Sequence, residues 1–181
     1  MKKITSSSSV AFISYGFTLI ELMVTIVVAT ILLLVAVPSF NNLVDTNRLM
    51  SATSMLYSDL QFARSEAIRN NNQVQLNFNQ AASCYGMILG ATACDCTVTS
   101  TAATNFCGLK RVTSANLGSI TVVSFASPTG FDPVRGMILS ATAGSVTLQS
   151  ASGKQARVNI GLLGRISLCS PAGTTGVYPS C

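Results

Sequence analysis

The chain has 181 residues, of which 49% are hydrophobic and only 9% are charged, and it carries a formal net charge of +5. Histidine and tryptophan are both absent and the few carboxylates show no paired arrangement, so neither an enzyme nor a bound metal or cofactor is predicted. So apolar a composition is unusual for a soluble protein of this length, and we expect part of the chain to lie in lipid.

The chain begins with a predicted leader, residues 1–16, that precedes the first apolar segment. A secretory signal normally places its apolar core before the cleavage site, whereas the only good junction here, Gly16-Phe17, lies ahead of the core. Cleavage at this junction would leave the apolar helix in the mature protein. It would also remove Lys2 and Lys3, two of the eleven basic residues, and lower the net charge to +3, well short of a nucleic-acid signature.

Residues 17–40 are predicted to form a transmembrane and assembly helix. No charge occurs in residues 22–44, and at about 1.5 Å per residue this stretch spans the roughly 30 Å hydrocarbon core of a bilayer. The two lysines before it, with Asp45 and Arg48 after it, favour a cytoplasmic leader and an external head. Pro38 predicts a kink, because proline removes a backbone hydrogen bond inside a helix, or it marks the membrane boundary.

Glu21 is an ionisable side chain at the head of this apolar helix. A charge near the bilayer centre costs about 2.5–3.5 kcal/mol on insertion scales, so the carboxylate needs water or a partner. One interpretation places Glu21 close enough to the interface to stay solvated. The other uses spacing: cleavage creates an amine at Phe17, four residues earlier, which the carboxylate neutralises in the same chain or a neighbour.

Residues 16–24 read GFTLIELMV and resemble the class III signal of type IV pilins and type II secretion pseudopilins. The resemblance implies that a prepilin peptidase cuts between Gly16 and Phe17 and methylates the new amine of Phe17. It also implies that Glu21 pairs with a neighbour's N-terminal amine during assembly. Pro38 resembles the pilin proline at which the helix bends or melts as filaments pack.

Residues 41–72 are predicted to continue the same helix as an amphipathic spine. An apolar stripe recurs at helical spacing, and no glycine occurs between Phe17 and Tyr85. The stripe consists of Leu49, Leu56, Leu60, Ala63 and Ala67, which leaves Asp59, Arg64, Glu66 and Arg69 for the other faces. The asparagine run 70–72 suits a helix end, because asparagine tolerates the left-handed conformation.

Residues 73–181 are predicted to form a β-rich globular head with cysteine-containing loops. Strand-like stretches between turn signals occur at residues 74–78, 120–125, 137–140, 146–148, 157–160 and 165–169. Antiparallel sheets laid on the spine would bury its apolar stripe. The predicted fold class is therefore α+β, with a long N-terminal membrane-anchoring helix packed on an antiparallel β-sheet head.

Six cysteines follow the membrane segment, an even number that an oxidising compartment would pair. A bond between Cys169 and Cys181 is favoured, because it would pin a turn-rich tail. The remaining four are Cys84, Cys94, Cys96 and Cys107. Cys94 and Cys96 lie too close for an easy mutual bond, so each is expected to pair with Cys84 or Cys107, and sequence does not choose between them. A cysteine-only zinc site is the alternative, disfavoured because no Cys-x-x-Cys knuckle occurs.

Three further segments resemble the GspH/FimT branch of pseudopilins and minor pilins: residues 58–69 (SDLQFARSEAIR), 157–160 (RVNI) and 164–169 (GRISLC). In FimT-like members that take up DNA, a Gly-Arg-x-Arg motif contributes to DNA binding. Here the second arginine is replaced by Ser167, so Arg165, helped by Arg157, Lys154 or Arg135, is a candidate DNA contact or a solvated edge charge.

The resemblance implies a minor pilin, inserted in the bacterial inner membrane with its head in the periplasm and then assembled into a type IV pilus. Its implied partners are other pilins or pseudopilins, prepilin peptidase and inner-membrane lipid. Two alternatives stay open: a type II secretion pseudopilin, and a DNA-binding minor pilin for natural transformation. Residues 81–117 show no pattern that assigns them.

Overall fold

The computed structural model describes residues 18–126, 130–174 and 177–181. The chain divides into two compact units, Met1–Phe40 and Asn41–Cys181. The described part of the first unit is the beginning of helix α1, which runs from Leu19 to Arg69. The second unit contains the rest of α1 and all of the strands.

Helix α1 ends where its sequence changes character. The buried stripe predicted for it is confirmed, since Leu49, Leu56, Leu60, Ala63 and Ala67 are all fully buried. After Arg69, the asparagine run turns the chain: Asn71 has a left-handed φ of 46°, and the Asn72 amide donates to the Ala67 carbonyl.

Two antiparallel sheets pack on this helix in one continuous apolar core. The first sheet has the order β3-β2-β1-β5, formed by β1 (Val74–Asn79), β2 (Cys84–Leu89), β3 (Lys110–Val112) and β5 (Gly130–Phe131). The second has the order β4-β6-β7-β8, formed by β4 (Thr121–Ala126), β6 (Gly144–Gln149), β7 (Gln155–Ile160) and β8 (Ile166–Cys169). A short helix, α2 (Ser114–Leu117), connects β3 to β4.

The expectation of an α+β fold with antiparallel sheets is confirmed, but the strand predictions were incomplete. Residues 137–140 do not form a strand: Ile138 makes only an isolated bridge to Phe131, because the partner strand β5 is two residues long. Strand β2 was missed because its residues 84–87 are all buried, so it lacks the alternation that marks a half-exposed strand.

Candidate functional site

The apolar part of α1 is exposed along its whole described length. From Leu19 to Phe40, every large apolar side chain that the structure describes is more than 45% exposed, as in Leu34 at 72%. Thr18 caps the helix, since its hydroxyl accepts the Glu21 amide at 3.3 Å. By length and composition this helix is able to cross a membrane. An uncovered apolar surface of this size requires lipid or other helices around it.

Glu21 lies exposed in the first turn of this helix, and no ion pair to it occurs among the residues described. Its predicted partner, the Phe17 amine, and the cleavage position Gly16 lie outside the described residues. Pro38 falls within α1, and its side chain is likewise outside what the structure describes. The predicted cleavage, methylation and pairing therefore remain predictions.

The glycine of the Gly-Arg motif is a packing residue. Gly164 has a φ of 74°, and a Cβ there would lie 2.1 Å from the Gly136 carbonyl oxygen. Gly136 is itself at a φ of 61°, and a Cβ on it would lie 2.8 Å from Arg64 Nε. Only glycine permits these two turns to approach so closely in that conformation.

Arg64 joins both turns to the spine helix. Its Nε donates to the Gly136 carbonyl at 3.0 Å, and a terminal nitrogen donates to the Leu163 carbonyl at 3.5 Å. Residues 58–69 and 164–169, which carry the resemblance in the sequence, therefore meet in space. The sequence places Arg64 on a face of α1 other than the apolar stripe; its bonds to the two turns span 72 and 99 residues, so no local sequence signal indicates them.

Arg165 and Arg157 share the outer face of the second sheet, whereas Lys154 does not join them. Arg165 is exposed, and Arg157 Nε donates to the Thr147 hydroxyl at 3.1 Å. Because Arg157 is opposite Cys169 in the ladder, the two arginines lie about 13 Å apart along the strands. Lys154 instead donates to the Thr46 hydroxyl on α1 at 2.6 Å.

A shallow depression of about 530 Å³ lies beside Arg165. Ser145, Asn159 and Ser167 line it, each from a different strand, and Asn159 is opposite Ser167 in the ladder. An arginine at 167 would therefore stand on the same face as Arg165 and Arg157. Ser167 keeps this face polar but leaves it with two arginines rather than three.

Two interleaved disulfides fasten residues 84–107 over the outer face of the first sheet. Cys84 is bonded to Cys96, and Cys94 to Cys107. A Cβ on Gly86 would lie 2.2 Å from Cys107 Sγ, so the loop rests directly on β2. With these bonds no thiolate remains in this segment for a cysteine-only zinc site.

The C-terminal tail is bonded by a third disulfide, between Cys169 and Cys181. Backbone hydrogen bonds accompany it: the Ser170 amide donates to the Pro179 carbonyl, and the Cys181 amide donates to the Ser170 carbonyl. The tail is therefore attached to the end of β8 in the described structure.

A buried polar cluster joins the spine helix to the first sheet. Asp59 is only 4% exposed; it accepts a hydrogen bond from the Tyr85 hydroxyl at 2.8 Å and forms an ion pair with Lys110. Burial, followed by the neighbouring Asp59 carboxylate, raises the pKa of Tyr85 well above its ordinary value. The sequence leaves Asp59 and Glu66 to faces of the helix other than the apolar stripe, and there both side chains are buried and hydrogen-bonded.

The sequence model of the family described as type II transport protein GspH matches residues 52–164, more than half of the chain. The chain belongs to the GspH family. The model of the prokaryotic N-terminal methylation motif matches residues 14–37, so this GspH-family chain also carries that motif. A comparison with curated proteins finds no match.

Solved structures agree on the fold of this GspH-family protein. The type IV minor pilin FimU of Pseudomonas aeruginosa, in one crystal form, is 21% identical over 71% of this chain and 96% of its own, with a TM-score of 0.50. In a second crystal form, FimU is 20% identical over 70% of this chain and 99% of its own, again with a TM-score of 0.50. The minor pseudopilin EpsH of Vibrio cholerae is 13% identical over 69% of this chain and 98% of its own, with a TM-score of 0.45. The two FimU comparisons show that this chain has a pilin-like fold.

Proposed function

We propose that this chain is a minor pilin, cut after Gly16, methylated at Phe17, and assembled through its apolar helix with other pilin-like subunits into a type IV pilus. The single observation that carries the proposal is the methylation-motif match at residues 14–37, on a helix whose described apolar side chains are all exposed from Leu19 to Phe40. After cleavage, this surface is covered first by inner-membrane lipid and then by neighbouring helices in the filament. The head then faces the periplasm.

Mass spectrometry of the N-terminus, in cells with and without prepilin peptidase, tests the proposal. A mature chain that starts at methylated Phe17 is expected only in cells that contain the peptidase. An intact Met1 start in both strains would refute it.

Glu21→Val tests the assembly step. The variant is expected to insert and be cleaved normally but to be depleted from sheared filaments, because the neighbour's amine loses its counter-charge. Glu21→Asp is the matched control, since it keeps a carboxylate at the same position. Undiminished incorporation of Glu21→Val would remove the pairing role.

The alternative placement is a type II secretion pseudopilus, built on the same fold and the same cleavage. The two placements separate when the inner-membrane assembly platform of each machine is deleted in turn. For a pilus component, surface recovery is expected to vanish with the pilus platform and to persist without the secretion platform.

A second candidate function is DNA binding, favoured by the exposed Arg165 on the polar face that it shares with Arg157. Mobility shift of DNA by the full mature chain in detergent tests it at low salt. Arg165→Ala is expected to weaken retardation and reduce its salt dependence, whereas Arg48→Ala, also exposed, removes an equal charge away from this face. Ser167→Arg is expected to strengthen binding. No retardation by the wild type, or an equal effect of Arg165→Ala and Arg48→Ala, would exclude this role.

A further inference from the structure

Four aliphatic side chains form an exposed apolar patch where α1 ends. They are Ile68 (48% exposed), Val134 (78%), Leu162 (48%) and Leu163 (72%). All four surround the backbone of Gly136. Val134 belongs to the same turn, Ile68 Cδ1 lies 3.0 Å from the position of a Cβ on Gly136, and Leu162 and Leu163 belong to the turn that packs on its carbonyl. The four side chains of the patch are therefore carried by backbone segments that meet at Gly136.

The two turns that present the patch are held rigidly. Asp132 Oδ1 accepts the amides of Val134, Arg135 and Gly136 at 2.8, 2.7 and 3.1 Å. The second turn is closed by the Gly164 amide, which donates to the Gly161 carbonyl at 2.8 Å. Turn tips are ordinarily polar, so aliphatic side chains on pre-ordered turns are the signature of a contact surface that loses little entropy on binding.

The rim of the patch is basic and unpaired. Among the described residues, Arg48, Arg135 and Arg165 are the cations whose side chains make neither a hydrogen bond nor an ion pair. Two of these three flank the patch: Arg135 follows Val134, and Arg165 follows the turn that carries Leu163. The carboxylate of Asp132 forms no ion pair with either arginine among the described residues, because its Oδ1 accepts backbone amides of its own turn. The complementary partner is apolar at its centre and acidic around it.

A second copy of this chain does not supply such a surface. Asp59 and Glu66 are buried, and Asp95 and Asp132 lie singly on separate loops. The other two of the six acidic residues lie on α1, so the acidic residues of this chain do not form a ring of carboxylates. A membrane surface and nucleic acid also fit less well, since the patch has no aromatic side chain, the residue type favoured at lipid interfaces and for base stacking.

We propose that this patch, with its rim of Arg135 and Arg165, docks the head of a different pilin-like subunit whose contact surface is apolar and ringed by carboxylates. The inference rests on the proposed function, since it names the partner surface used during assembly. Because Leu163 is largely exposed and makes its hydrogen bond only through its carbonyl, its side chain is free to be changed without loss of the fold.

The test places a photo-reactive amino acid at position 163 of the full chain in cells that assemble filaments. The matched control places it at Ala102, which is exposed on the disulfide loop. Crosslinking at 163, and not at 102, to a pilin-like subunit identified by mass spectrometry is expected. Lipid, DNA, a second copy of this chain, or no adduct at 163 would overturn the proposal.

Variants measure the same contact in sheared filaments. Leu163→Glu is expected to lower recovery about tenfold or more, whereas Ala102→Glu changes it less than about twofold. Replacing Arg135 and Arg165 together by glutamate is expected to reduce crosslinking, and replacing both by lysine to preserve it. Equal recovery of Leu163→Glu and wild type refutes the docking surface alone. A wild type that is neither cleaved nor found in filaments removes the proposed function, and this inference with it.

Discussion

Replacing Gly164 by alanine tests whether the Gly-Arg motif begins with a packing residue. An alanine at a φ of 74° costs about 1–2 kcal/mol in backbone strain. Its Cβ would also lie 2.1 Å from the Gly136 carbonyl oxygen, a backbone atom that cannot swing aside. Relieving that overlap separates the two turns and loses the charge-assisted bond from Arg64 to Gly136, worth about 1.5–3 kcal/mol. The expected loss is the sum of these two contributions, about 2.5–5 kcal/mol.

Urea unfolding of the full mature chain in detergent, followed by circular dichroism of the head, measures this loss. Gly153→Ala is the matched control: its φ of 82° gives comparable backbone strain, but the nearest atom to its Cβ is the end of the Gln149 side chain at 3.9 Å. The control is expected to lose only about 1–2 kcal/mol. If the two variants lose the same stability, the close approach to Gly136 does not constrain the fold and the reasoning fails.

Three further predictions concern the polar cluster and the cross-links. The raised pKa of Tyr85 means that the folded state holds the phenol proton more tightly than the unfolded state does. The stability that Tyr85 contributes is therefore complete below pH 10 and is lost above it, by about 1.4 kcal/mol per pH unit. Tyr85→Phe should flatten this pH dependence of the urea midpoint between pH 8 and 11. Replacing Cys169 and Cys181 together by alanine should cost about 3 kcal/mol, and equal thermal stability would contradict it. Arg111→Met removes the bond to the Val98 carbonyl and should speed hydrogen exchange in residues 96–98, read against wild type by mass spectrometry.

The parts of the fold that were predictable from the sequence are those in which apolar residues recur at a regular spacing. The stripe from Leu49 to Ala67 repeats at helical spacing, and β1 and β7 alternate at a period of two with one buried face. Strand β2 lacks an alternation of apolar and polar residues, because one of its faces lies on the core and the other under the disulfide loop. Periodicity cannot distinguish a strand covered on both sides from an irregular apolar run.

The candidate site was predictable as a set of residues but not as an arrangement. The sequence identified Arg165, Arg157 and Lys154. The hydrogen bond of Lys154 to Thr46, however, depends on which end of the β6–β7 hairpin lies against α1. Likewise, the burial of Asp59 is predictable only if Tyr85 and Lys110 are known to lie across from it on two neighbouring strands. Contacts of this kind join residues 26 and 51 positions apart, and no local pattern records them.

The turn between β7 and β8 therefore combines packing, docking and DNA contact within three consecutive residues. Gly164 faces inward onto Gly136 and serves packing, and Leu163 faces solvent and serves the proposed docking. Arg165 lines the depression and is shared by the proposed docking rim and the proposed contact with DNA. A defect shared by all three positions would indicate only that the turn had collapsed. If Leu163→Glu depletes filaments while DNA retardation persists, docking and DNA binding depend on different side chains of this turn, whereas Arg165→Ala is expected to weaken both. The turn then links assembly to the proposed cargo through Arg165, the residue that the two surfaces share.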